Sequence, residues 1–221
     1  MVCRSLTLAI AGNSWLLHSS AIINDLLNEA ESACVAYFYF DFRDVDKRSR
    51  RGLLSSLLIQ LTAHSDPLCG ILSRLYKEYD DGTHQPSDND LMSCLEDMLA
   101  LPDQGPFYII LDALDECPNA SGVSSPREEV IQIVKRLVDL RLPSLHLCAT
   151  SRQEVDIRDT LASLASHSVS LHDESGHKAD ITEYVRSVVY SDPFRAMRRW
   201  RDVDKALVIK TLSEADGMYV Y

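Results

Sequence analysis

The 221-residue sequence has no surplus of positive charge. Lys plus Arg number 22 against 33 for Asp plus Glu, a formal net charge of −11. Binding to nucleic acid draws on cations that displace phosphate counterions, so non-specific nucleic-acid binding is excluded as a main activity; a small basic site for the phosphates of one nucleotide is not. No apolar run approaches the ~18 residues that span a bilayer, so no membrane helix is expected. A leader peptide is not expected either: Arg4 precedes only the short apolar stretch 6–11 before Gly12, Asn13 and Ser14 interrupt it. The six cysteines (Cys3, Cys34, Cys69, Cys94, Cys117 and Cys148) contain no CxxC pair and no zinc-site spacing. Free, mostly buried thiols in a cytoplasmic protein are the expectation. Glycine is scarce at the start of the chain, where Gly12 is the only one before Gly52, and the first lysine is Lys47.

What is present is ordinary for a folded chain: 46% hydrophobic and 25% charged residues, which rule out wholesale disorder. The length suits one large domain or one domain plus a further segment. Three short apolar runs rich in strand formers stand out at 34–40, 107–112 and 145–150, and each reads as a strand buried on both faces. Between them lie helical patterns at 14–31, 53–61, 68–79, 91–101 and 128–140. The first carries Leu16, Leu17, Ile22, Ile23, Leu26 and Leu27 at helical spacing. A helix at 155–164, a short strand at 169–171 and helices at 181–189 and 203–212 follow. Alternation of apolar strands with helices predicts an α/β domain with a mainly parallel sheet in three layers, over residues 1–175, and a helical segment over 176–221. The arginines and lysine of 43–51 and the arginines of 195–201 are interleaved with aspartates and read as solvated faces. The seven histidines show no ligand spacing, and His146 reads as a core residue.

Ligands of such sheets lie beyond the carboxyl ends of the strands. The second run ends in Asp112, with Asp115 and Glu116 three and four residues on, a spacing that returns them to one face if the chain turns helically there. Three carboxylates that close suit a hydrated Mg²⁺, which takes few carboxylates and completes its shell with water and phosphate oxygens. One of them could orient or deprotonate an attacking water. The third run ends in Ala149-Thr150-Ser151-Arg152, and the planar fork of Arg152 suits contact with a terminal phosphate. A phosphate loop of the form G-x-x-x-x-G-K-[ST] belongs before the first long helix. Its best fit is residues 7–14, with Gly12 as the second glycine and Ser14 as the metal-binding hydroxyl. Thr7 stands in place of the first glycine and Asn13 in place of the lysine. The Cβ of Thr7 and the missing ammonium both weaken a phosphate cradle.

The order of these elements, with Tyr37-Phe38-Tyr39-Phe40-Asp41-Phe42-Arg43-Asp44, the leucine-rich 53–61 segment, Asp112-Ala113-Leu114-Asp115-Glu116, Thr150-Ser151-Arg152 and Ala215-Asp216-Gly217-Met218, resembles the NACHT class of P-loop NTPases in the fungal form akin to the nephrocystin N-terminal domain. The resemblance covers residue 12 to the end. It implies a signal-transduction ATPase domain, a switch controlled by ATP or GTP with Mg²⁺. It further implies protein partners bound through an effector region and repeats outside this sequence, which on that reading is a fragment, a shortened paralogue or an imperfectly assembled gene product. It assigns Asp112 and Ser14 to the metal, Asp115 and Glu116 to the distal acidic pair and Arg152 to sensing the γ-phosphate. It places Gly12, Asn13 and Ser14 at the phosphates. With Asn13 and Thr7 in that loop, hydrolysis is expected to be impaired. The competing expectation is a scaffold or oligomerisation module with an empty pocket. A metal-dependent hydrolase without nucleotide, using Asp112, Asp115 and Glu116, is a further one.

Overall fold

The computed structural model describes residues 6–10, 15–29, 32–119 and 125–170. Five strands, β1 (Leu6–Ile10), β2 (Cys34–Tyr39), β3 (Phe107–Asp112), β4 (Leu145–Ser151) and β5 (His167–Ser170), form one sheet in the order β2-β3-β4-β1-β5. Every neighbouring pair is parallel. Six helices connect them: α1 (Trp15–Glu29), α2 (Arg50–Thr62), α3 (Asp66–Glu78), α4 (Asp88–Leu99), α5 (Pro126–Asp139) and α6 (Val155–Leu161). The expected α/β architecture with a parallel sheet is what forms. The boundary expected at 175–176 and the helices expected at 181–189 and 203–212 lie outside the described residues. Among the described residues no helix is long and apolar enough to cross a membrane.

Strand alternation sorts the side chains into two layers. Cys34, Ala36 and Phe38, Phe107, Ile109 and Leu111, and Leu145, Leu147 and Ala149 enter the larger core with the buried faces of α2 to α6. Val35 and Ile110 point the other way, toward Ile23 of α1, with Leu26, Tyr39, Tyr108 and Cys148 partly buried around them. The larger core rests on α2, whose Leu53, Leu54, Leu57, Leu58 and Leu61 are all buried, as their spacing predicts. Truncating one such leucine to alanine typically costs about 2–5 kcal/mol.

Three local expectations change. First, the six apolar residues of α1 do not form one buried face. Ile22 and Leu27 are exposed while Ile23 is buried, because neighbours in a helix point about 100° apart and only one of each adjacent pair can face the sheet. Second, the cationic stretch 43–51 is more than a solvated face. Ser49 caps α2 by accepting the Gly52 N–H at 3.0 Å, so Arg50 and Arg51 are helical. The first cationic cluster is also tied down internally: Arg51 donates to the Pro86 carbonyl and Asp88, Arg50 to Asn89 and Arg48 to the Phe42 carbonyl. Gly52 is required there, since a Cβ would sit 1.8 Å from the Asp46 carbonyl oxygen. Third, most of the described thiols are buried as expected (Cys34, Cys94 and Cys117), but Cys148, inside a strand, is only intermediate and Cys69 is exposed. Burial pushes the Cys94, Cys117 and Cys148 thiols up to about 11, which leaves them protonated and unreactive at neutral pH. His146 is only half-buried and stacks on Tyr108 with ring centroids 4.8 Å apart.

Among the described residues β2 is an edge strand, and α2 closes its outer side. The Gln60 carboxamide accepts from the Tyr37 N–H at 3.1 Å and donates to the Tyr37 carbonyl at 2.8 Å, as a neighbouring strand would. His64 Nε2 lies 3.0 Å from the Val35 carbonyl oxygen. Unpaired edge groups invite another chain, and here side chains occupy them.

The position of β1 corrects the alignment of the phosphate loop. Thr7 is inside a central strand, opposite Cys148 on one side and His167 on the other. Only residues 11–14 separate β1 from α1, too few for an eight-residue loop starting at Thr7. Glycine weakens a strand interior through its extra backbone entropy. Thr7→Gly, a repair on the eight-residue alignment, is therefore expected to lower stability by about 1 kcal/mol. Thermal denaturation of the variant checks this.

Candidate functional site

The sheet changes direction between β1 and β4. The chain leaves β1 by way of α1 toward β2 and leaves β4 by way of α6 toward β5, in opposite directions along the sheet. Such a point opens a crevice at the carboxyl ends of the two strands. Ile10, the last residue of β1, lies opposite Ser151, the last residue of β4. The chain therefore enters 11–14 at the level where it reaches Arg152. Gly12, Asn13 and Ser14 themselves lie outside the described residues.

Asp112 ends β3 on the α1 side, in phase with Tyr108 and Ile110. It is 1% exposed. Its Oδ1 accepts from the Ser19 hydroxyl of α1 at 2.6 Å and from the Thr150 hydroxyl of β4 at 2.6 Å. Its Oδ2 is buried and has no hydrogen-bond partner among the described residues. A buried carboxylate oxygen without a donor is costly unless a cation or a proton meets it. The free oxygen fits a magnesium ion. Among the described residues no group of three His, Cys, Asp or Glu could hold a metal, so a cation at Asp112 would complete its shell with water and phosphate oxygens, as Mg²⁺ does.

The chain leaves Asp112 through Ala113, which adopts a left-handed conformation at φ 57°, ψ 48°, unusual for a residue with a Cβ. Thr150 accepts the Ala113 N–H at 2.9 Å. Arg127, a buried guanidinium at the start of α5, donates to the carbonyls of Asp115 and Cys117 at 2.6 and 2.8 Å and faces Asp156 at 3.3 Å. The turn is thus held from β4 and from α5.

Asp115 and Glu116 follow in a short 3-10 turn (Leu114–Glu116) and have different surroundings. The Asp115 carboxylate is 8% exposed and faces Arg152 with both oxygens: the Arg152 N–H donates to Oδ1 at 2.9 Å and Nε lies 3.2 Å from Oδ2. Glu116 accepts one long bond from the Phe42 N–H at 3.4 Å. Burial pushes its carboxyl above the ordinary value of 4.5; the Phe42 N–H opposes this, Asp115 and Asp41 add to it, and Arg152 opposes it. Asp41 is held down to about 2 by its hydrogen bonds with Arg43, so Glu116 titrates against a fixed negative charge.

The structure thus brings Asp112, Asp115, Glu116 and Arg152 to one end of the sheet. Sequence reasoning missed Ser19, Thr150 and Arg127. Ser19 had a readable signal: it lies four residues before Ile23 and seven before Leu26, on the face of α1 that turns inward, where a buried hydroxyl needs a partner.

A sequence profile of the family described as nephrocystin 3, N-terminal, matches residues 9–152, more than half of the chain. The chain belongs to that family. No curated protein matches it. Among solved structures, a chain of Drosophila ORC bound to DNA superposes with a TM-score of 0.51 at 14% identity, covering 96% of this chain and 47% of that one. This family member therefore spans less than half of that ORC chain. C. elegans PCH-2 aligns with a TM-score of 0.35 at 10% identity over 93% of this chain and 56% of that one. The fold is of the P-loop ATPase type.

Two outcomes test the site without a ligand. Thr150→Val removes a donor from Asp112 and strands the Ala113 N–H. It should cost about 2–3 kcal/mol in chemical denaturation, whereas Thr150→Ser keeps most of that stability. Glu116→Gln should raise the melting temperature at pH 7. A carboxyl whose pKa is raised by folding contributes stability below its unfolded value of 4.5 and loses it as pH rises through the folded value. The gain should therefore fade when melting is repeated at pH 4.

Proposed function

We propose that this chain is a nucleotide-binding switch module of the NACHT type, binding ATP or GTP with Mg²⁺ and impaired in hydrolysis. The observation that carries the proposal is the buried Oδ2 of Asp112, unpaired among the described residues, beside a sheet crevice whose other strand ends lead to residues 11–14 and to Arg152. Membership of the nephrocystin 3 N-terminal family and the P-loop ATPase fold support the same reading.

A bound magnesium ion would supply charge neutralisation at the phosphates. Asp112 would hold it, oriented by Ser19 and Thr150, with Ser14 as a second oxygen donor. Gly12 and Asn13 would lie along the phosphates. Arg152 would meet the terminal phosphate, where a guanidinium stabilises spread-out negative charge. Glu116, half-buried and weakly paired, would orient a water at that phosphate. Impairment follows from the sequence 11–14, which offers one glycine and no lysine. Without that ammonium, the β- and γ-phosphates lose their nearest point charge. The readout of such a switch is another protein chain in the cytoplasm. Nucleic acid and membrane are not its ligands, in keeping with the net charge of −11.

Titration of fluorescent ATP into the full chain with and without Mg²⁺ tests the proposal. Binding should depend on Mg²⁺ and weaken when Asp112 is changed to Asn. Asn13→Lys should tighten it by about tenfold, the effect of one charge-assisted hydrogen bond. No saturable binding in either protein would instead favour a scaffold with an empty pocket.

A further inference from the structure

The proposed site has two candidate acids for the attacking water, Asp115 and Glu116, and their environments separate them. Resting on the nucleotide reading above, we infer that Asp115 is a positioning residue for Arg152: it grips the backbone N–H and Nε of the arginine and holds its guanidinium ready for a terminal phosphate. Both carboxylate oxygens of Asp115 are engaged this way, at 2.9 and 3.2 Å. Nε of Arg152 lies against Asp115 Oδ2, and the terminal nitrogens are the outer part of the fork. An oxyanion accepts two parallel bonds from such a fork. The carboxylate is nearly buried while the arginine is 56% exposed, so the anchored end lies inside and the free end meets solvent.

The grip is itself fixed. The Asp115 carbonyl is taken by an Arg127 terminal nitrogen at 2.6 Å, and the Ala113 N–H, two residues before Asp115, is pinned by the Thr150 hydroxyl that also donates to Asp112. Asp115 therefore cannot swing toward water without breaking an ion pair and leaving its partner unpaired. An arginine held in advance loses less side-chain entropy when it closes on a phosphate, so the effect falls on discrimination between triphosphate and diphosphate.

A double-mutant cycle reads this directly. Mg²⁺-dependent binding of fluorescent ATP and ADP is measured for the full chain and for Asp115→Asn, Arg152→Ala and the double variant, with thermal melting to confirm folding. Arg152→Ala should lower the ATP-to-ADP affinity ratio about tenfold and Asp115→Asn about fivefold, and the double variant should match Arg152→Ala, since coupled residues are not additive. Arg152→Lys keeps the charge but has no Nε–H fork. In that background, too, Asp115→Asn should change nothing, which keeps the test open if Arg152→Ala does not fold. Asp115→Glu, which retains the carboxylate, should recover part of the ratio. An unchanged ratio in Asp115→Asn beside a reduced one in Arg152→Ala overturns the positioning role and leaves the nucleotide reading standing. Additive effects in the double variant do the same. Absence of any nucleotide binding by the wild-type chain overturns both.

Discussion

The carboxylate of Asp112 is the point on which this end of the molecule turns. It is fully withdrawn from water, a placement that costs several kcal/mol for an ionised group unless donors replace the lost hydration. Two donors do, and they come from different elements: Ser19 on α1 and Thr150 on β4. One side chain thereby ties α1 to the paired strands β3 and β4. Among the described residues, the apolar burial on the α1 side comes from Ile23, with Leu26 partly buried. α2, by contrast, is fastened by five leucines. On the α1 side of the crevice, polar bonds from two elements thus converge on a single oxygen.

That arrangement explains which parts of the site the sequence reveals. Asp112 and Arg152 are legible because each follows a run of strand formers, and parallel strands bring their carboxyl ends to one edge whatever their order. The order itself, with β1 between β4 and β5, is not written in any local pattern. It is this order that places Ile10 opposite Ser151. Thr7 was misread because a short strand of five residues and a degenerate loop look alike when both are a few small and apolar residues. The periodicity of α1 misled for a related reason: adjacent apolar pairs satisfy a helical template on more than one face, and the small polar Ser19 decides which face turns inward. Thr150 was passed over in favour of its charged neighbour, although its hydroxyl bridges Asp112 and the Ala113 N–H.

The distal acids show how far residue type alone can carry a role. By spacing, Asp115 and Glu116 are interchangeable. In the fold one is an anchor and the other stands nearly alone, raised by burial beside Asp41. The difference comes from β4 and α5 rather than from the acidic motif. Arg152 reaches Asp115 only because β4 is the neighbour of β3. Arg127 captures the backbone of the same turn from the first turn of α5, and Asp156 and Glu154 balance its charge. A left-handed alanine persists here because its surroundings leave the chain no alternative.

The carboxamide of Gln60 has a consequence for how copies of this domain can associate. By occupying the outward amide and carbonyl of Tyr37, with His64 on Val35, it denies an incoming strand the main-chain partners that sheet extension and cross-β stacking both require. Self-association through these positions is left to side-chain surfaces, which separate again without unravelling the sheet.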